Sequence, residues 1–276
     1  MTLFIGCPSG EADEDTTAAY WFFLYRHGLL RKEFGLTLDM DDGVKLSDGL
    51  VLHYDGTVSD GRLIDAVDDS GVADLTLTDV ESIQGHLPGT KALHFNGRTS
   101  YAESRYHIEA IELTTFSLSC WFRTVGLIPG TDYGMDGRLI AYAPKDMSYS
   151  AMIGDGIRYG WVLENEMAAE ESLHFVPPGL NAPNRNAYLN GEWHHAVVLF
   201  GQYDSYKIYV DAVLQEYIQA LDSAWNIDYS EYVNHLYLGS LGYFDPYCFF
   251  YGDLGDIRIY NRLINEDEIQ ALFETT

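Results

Sequence analysis

Glu164 and Glu166 stand two positions apart in a segment that alternates like a strand, so both carboxylates fall on one face. Paired carboxylates on one face are what glycoside hydrolysis uses, with the two groups about 5 Å apart in retaining enzymes and further apart in inverting ones. Glu170 and Glu171 extend the same acidic cluster, which reads equally as a solvated strand edge. His194 and His195 suggest a metal at first sight, but neighbours on a strand point to opposite faces and one ion cannot easily take both. Asp39, Asp41 and Asp42 precede Gly43 without the spacing of a calcium-binding helix–loop–helix loop. No Gly-x-Ser-x-Gly elbow, phosphate loop or dinucleotide motif is present.

The most informative chemistry is aromatic. Ten of the 21 tyrosines fall within residues 202–251. Tyr209 and Tyr237 alternate within strand-like segments and read as core or sheet-face residues. Tyr203, Trp225, Tyr229, Tyr232, Tyr243 and Tyr247 instead stand among Asp, Asn, Ser and Gly. Such rings can pack on the C–H faces of sugars, serve a protein interface, or simply fill space, and the residues leave all three open. Tyr133, in a Gly- and Asp-rich loop at 130–137, could line one wall of a ligand site.

These side chains must be positioned by strands. Phe116, Leu118, Cys120 and Phe122 alternate with Ser117, Ser119, Trp121 and Arg123, a period of two. Similar patterns occupy 193–200, 206–210, 235–239 and 256–260, with further candidates at 50–54, 92–95, 138–143, 150–153, 158–164 and 172–176. Many short strands and few helical patterns predict an all-β antiparallel sandwich. One helix closes the chain, with Asn265 as N-cap, Glu268 as its capping-box partner, and Ile269, Leu272 and Phe273 as its apolar stripe. Residues 1–46 differ in character and read as an extension, whose segment from Thr16 fits either a capped helix or a hairpin turning at His27 and Gly28. Ala212 after Asp211 tolerates positive φ badly, which predicts a longer turn there than a two-residue hairpin.

Composition narrows the partners. The 276 residues hold 42 acidic side chains against 16 Lys and Arg, a formal charge of −26, while 47% of residues are hydrophobic, enough for a normal core. Such a surface repels phosphate backbones and anionic membranes, which excludes nucleic acid as a natural partner. It suits neutral sugars, divalent cations or a high-salt setting. The longest apolar run, 18–25, is far short of the roughly 20 residues a membrane span needs, and the first residues lack the basic start of a secretory signal. Three cysteines, Cys7, Cys120 and Cys248, are too few for a disulfide framework, although Cys120 and Cys248 could pair.

Six segments in order resemble the laminin-G-like, concanavalin-A-like jelly rolls. They are the opening strand from Leu50 to Gly56, the stretch from Ala92 to Gly97, the strand from Thr115 to Phe122, the Gly191-Glu192-Trp193 strand, the Tyr206–Asp211 strand, and Gly255-Asp256-Ile257-Arg258 with its short helix. The resemblance covers residues 47–274. It implies a jelly-roll β-sandwich domain at 47–276, glycan or protein binding rather than catalysis, and often a structural calcium. Carried over by residue, Asp55 and Asp256 lie where the first and last strands would run close together and are the candidate calcium ligands, although Gly255 stands where the family commonly has a second acid. Hydrolases of this shape usually carry a Glu-x-Asp-x-x-Glu type of motif, which is absent here.

The resulting expectation is a non-enzymatic adhesion or decoration protein. Its jelly roll would bind host glycan or neighbouring subunits, and residues 1–46 would dock it into a homo-oligomer or larger assembly. Domains of this kind work outside cells, and a start at Met1 without an export signal points to a virion component. A secreted cellular carbohydrate-binding protein and a glycan-degrading enzyme using Glu164 and Glu166 are the alternatives.

Overall fold

The structure is a computed structural model that describes residues 44–124, 137–145, 161–166, 172–176, 180–182, 188, 190–201, 205–219, 227–241 and 249–276. In chain order its strands are β1 (Leu50–Tyr54), β2 (Val58–Ser59), β3 (Arg62–Leu63), β4 (Leu75–Thr78), β5 (Glu81–Gln84) and β6 (Lys91–Asn96). There follow β7 (Tyr101–Ser104), β8 (Thr115–Arg123), β9 (Gly137–Pro144), β10 (Trp161–Glu166), β11 (Ser172–Val176) and β12 (Leu180–Ala182). The last are β13 (Trp193–Gly201), β14 (Ser205–Val210), β15 (Val213–Gln219), β16 (Asn234–Leu238) and β17 (Tyr251–Tyr260), before helix α1 (Glu266–Thr275).

Two antiparallel sheets form. One runs β15-β14-β13-β8-β17-β6-β5, with β1 also paired to β17, and the other runs β12-β11-β10-β9-β16-β7-β4-β3-β2. The alternation read from the sequence decides which face each strand buries. In β8, Phe116, Leu118, Cys120 and Phe122 enter the core between the sheets, together with Ala196, Val198 and Phe200 from β13 and Ile140, Tyr142, Trp161 and Leu163 from the second sheet. The opposite face of β8 and β13 carries Ser119, Trp121, Trp193 and His195. Helix α1 covers part of that outer face, where Ile269 and Leu272 join Val197, Leu199, Tyr209 and Tyr260.

β17 positions the site described below. Its first half pairs with β6 from Tyr251 to Gly255, and its second half pairs with β1 from Ile257 to Tyr260. β6 and β1 thus lie on the same side of β17, one beyond the other, and the sheet forks between them. At the fork the pairing with β8 shifts between Gly255 and Arg258, and Asp256 adopts a left-handed φ of +42°. A bulge of this kind re-aims side chains. Gly56, just after β1, also has positive φ, and a Cβ there would lie 2.7 Å from Lys91 backbone atoms, so only glycine lets the end of β1 tuck against β6.

Two expectations are corrected. The turn after β14 is a two-residue hairpin, with Val210 paired to Val213 and both Asp211 (φ +51°) and Ala212 (φ +60°) left-handed. Its geometry is imposed by β13, because Asp211 donates its N–H to the His195 carbonyl at 2.8 Å and its carboxylate accepts from the His195 N–H at 2.9 Å. Cys120 is a free thiol rather than half of a disulfide, buried in the core so that burial pushes its pKa up to about 12. The expectations at 1–43 and at 150–153 lie outside the described residues. Among the described residues no helix is long and apolar enough to cross a membrane.

Candidate functional site

A cavity of about 400 Å³ opens at the fork, lined by His53, Asp55, His86, Thr90, Lys91, Asp256 and Arg258 among others. Asp256 is its anchor. Its Oδ1 lies 2.6 Å from His53 Nε2 and accepts a hydrogen bond from Arg258 Nε at 3.1 Å. Burial alone would raise the Asp256 pKa, but His53 and Arg258 together hold it below the usual carboxylate range. Asp55 stands at the rim, exposed, with Oδ1 accepting the Thr57 N–H at 2.8 Å.

The opposite wall comes from the loop between β5 and β6. Thr90 closes this loop by donating to the Leu87 carbonyl at 2.8 Å, while Gly85 donates to the Thr90 carbonyl at 2.9 Å. Closure lays the His86 ring flat on Trp121, with centroids 3.7 Å apart, and brings it edge-on to Trp193 at 6.2 Å. Trp121 is stacked from the helix side by Phe273, and its Nε1 donates to Thr276 Oγ1 at 3.0 Å. Burial lowers the His86 pKa against the opposing charge of Asp256, and His86 Nε2 has no hydrogen-bond partner among the described residues.

Next to the cavity on the same face runs a polar row in cross-strand register: Trp193 of β13, Arg123 of β8, Asp253 of β17, His94 of β6 and Glu81 of β5. Asp253 is buried and joins its neighbours, accepting from Arg123 Nε at 2.6 Å and lying 2.7 Å from His94 Nδ1. The Arg123 guanidinium lies over the Trp193 ring, 4.9 Å from its centroid.

Asp55 and Asp256 both line this cavity. The pair supplies part of the about six to eight oxygens a calcium ion takes, and Asp256 is engaged by His53 and Arg258, with Lys91 lining the same cavity. The described residues contain no group of three or more His, Cys, Asp or Glu placed to share an ion.

The two aromatic candidates among the described residues, Tyr229 and Tyr232, do not line this cavity. Tyr229 packs on Tyr142 of β9, and its hydroxyl donates to the Leu113 carbonyl at 3.2 Å. Tyr232 is exposed in the turn leading into β16 of the second sheet. Tyr133, Tyr203, Trp225, Tyr243 and Tyr247 lie outside the described residues. Glu164 is buried in β10 and salt-bridged to Arg138 of β9, an arrangement suited to holding strands; the Glu166 side chain lies outside the described residues. His194 and His195 face opposite ways, His194 toward Asp211 and Asn190 and His195 toward Ser119. Sequence reasoning missed His53, His86, Arg123, His94 and Asp253. The alternation placing Arg123 outside the core was visible; its partners were not.

Two curved antiparallel sheets packed over a common core, with an outer face carrying polar and aromatic side chains, define a lectin-type jelly-roll sandwich. The chain belongs to the concanavalin A-like lectin/glucanases superfamily, whose laminin G type matches residues 96–270. No curated protein sequence matches it. Among solved structures it is similar to domain 4 of AbnA, a GH43 extracellular arabinanase from Geobacillus stearothermophilus, in complex with arabinotriose. That likeness has 17% identity and a TM-score of 0.55, over 81% of this chain and 97% of that one. It is also similar to the binding domain of Paraclostridial mosquitocidal protein 1 (16% identity, TM-score 0.55) and to the binding domain of botulinum neurotoxin serotype D (12%, 0.56). Each of these two likenesses covers 83% of this chain and 52% of the other, so the chain spans about half their length. At such identities the likeness concerns the fold.

Proposed function

We propose that this protein is a non-catalytic carbohydrate-binding module whose ligand sits on the outer face of the first sheet, in the cavity at the strand fork. The observation that carries this reading is the cavity itself. It has the volume of a small-ligand site, and its polar groups converge from β1, the β5–β6 loop, β6 and β17. The family, and a similar domain solved with arabinotriose, support a sugar as the ligand class. The one acid of the suspected catalytic pair that is described, Glu164, is tied to Arg138, which favours binding over hydrolysis.

A glycan array followed by calorimetry tests the proposal. Asp256→Asn and Thr90→Val should each weaken binding of the best array ligand while leaving the fold intact by circular dichroism. Binding untouched by both would remove the cavity from the proposal. Release of free sugar from that ligand by wild-type protein, lost in Glu164→Gln, would overturn the non-catalytic part.

The wider setting, an adhesion or decoration component whose residues 1–46 dock to other subunits, rests on the composition of that segment. Native mass of the chain with and without residues 1–46 tests it. An unchanged mass would sink the docking arm.

A further inference from the structure

We propose that the polar row beside the cavity makes the site selective for an anionic saccharide, one carrying a carboxylate or sulfate that docks on Arg123. The inference rests on the carbohydrate-binding reading above and names the ligand class.

Arg123 is held at two points. Asp253 takes its Nε, and Trp193 lies under its guanidinium plane. Among the described residues it makes no other hydrogen bond or ion pair, and its side chain is 38% exposed. Both terminal Nη groups are therefore unspent. An arginine fixed in this way has already lost much of the rotamer freedom that binding would otherwise remove, and its planar fork matches a carboxylate or sulfate edge. His94 is held by the same buried carboxylate through Nδ1, and its side chain is 35% exposed. Asp253 is thus engaged internally, and at the centre of the row Arg123 and His94 are the groups turned outward, with the exposed carboxylate of Glu81 at its far end.

On a chain of net charge −26, this face brings three of its sixteen cations, Lys91, Arg123 and Arg258, and three of its nine histidines, His53, His86 and His94, together with four carboxylates. Asp253 and Asp256 are paired to Arg123, His94, His53 and Arg258, while Asp55 and Glu81 are exposed at the rim of the cavity and the end of the row. Repulsion from the rest of the surface is screened beyond a Debye length of about 8 Å at physiological salt, so the local donors decide at contact range. Asp253 and Asp256 are three residues apart on β17, roughly 10 Å at the rise of a strand. His86 touches Trp193 and lines the cavity, which joins the two places. A ligand spanning them needs at least two sugar units, one in the cavity and one presenting its acid to Arg123.

The test is an array of neutral, carboxylated and sulfated oligosaccharides probed with the full chain, then calorimetry on the strongest ligand. Wild-type protein should favour carboxylated or sulfated members over their neutral counterparts, and which of the two leads identifies the acid. Arg123→Ala should weaken the anionic ligand by roughly tenfold or more and leave a neutral counterpart unchanged. Arg123→Lys keeps the charge but loses the fork, and should recover only part of the affinity. Thermal melting of both variants separates lost binding from lost fold. A wild-type preference for neutral glycans, or an anionic ligand indifferent to both substitutions, would overturn this inference while leaving the binding module standing. Failure to bind any glycan would overturn both.

Discussion

His195 is a neutral imidazole inside the protein: it is fully buried beside Trp121, with Nε2 2.8 Å from Ser119 Oγ. Burial pushes its pKa down to about 3 against the opposing pull of Asp256 and Asp211. In the unfolded chain an imidazole titrates near 6.5, so between about 6.5 and 3 the unfolded state binds the proton first. Stability then falls as pH falls through that window. Melting curves between about pH 7 and pH 5 should show a shallower pH dependence in His195→Gln than in wild type; parallel curves would refute a buried neutral role. Ala212 is a different local cost, because its left-handed φ crowds Cβ. Ala212→Gly should raise stability by roughly 0.5–1 kcal/mol, or about 1–3 °C in melting temperature, and a lower melting temperature would argue against the two-residue turn. At the fork, Asp256 is already satisfied by His53 and Arg258. Millimolar calcium, or a chelator, should therefore leave the melting temperature unchanged, and a calcium-dependent rise would show that the pair recruits further oxygens.

Helix α1 is the element on which the outer face depends. Its start is fixed by a complete capping box, in which Glu268 N–H donates to Asn265 Oδ1 at 3.0 Å and Asn265 N–H donates to Glu268 Oε2 at 2.7 Å. Arg262 clamps the same glutamate and also donates to the Asp48 carbonyl, tying the helix start to the entry of β1. Asn265→Ala should cost about 1 kcal/mol. The consequence would reach Trp121, since Phe273 and Thr276 hold that ring from the helix side. Phe273→Ala should accordingly shift tryptophan emission to longer wavelength, and the shift should vanish in a Trp121→Phe background. If it persists there, the helix does not shield Trp121. The same ring supports His86 over the cavity, so loosening the helix should also weaken glycan binding.

For the whole molecule the dominant quantity is the net charge of −26, spread over a chain whose cations are few. Self-repulsion destabilises the compact state and is relieved by counterions. The melting temperature should therefore rise with sodium chloride and rise similarly with potassium chloride, as screening requires. Insensitivity to both would mean that local pairs such as Arg62–Asp74 and Lys145–Glu103 already balance the surface.

Much of this architecture was legible along the chain, because the information was local. Alternation in β8, β13 and β14 announced strands and their buried faces, His194 and His195 separated as pleating demands, and Asn265 and Glu268 announced the helix start. Short strands such as β2, β3 and β12, of two or three residues, carry too few positions for a period to show. The site was the least legible part. Its contacts join residues far apart in the chain: 203 positions separate His53 from Asp256, 159 separate His94 from Asp253, and 130 separate Arg123 from Asp253. Sequence periodicity determines which face a side chain takes. Only the register of distant strands, the bulge at Asp256 and the fork it opens decide which side chains meet there.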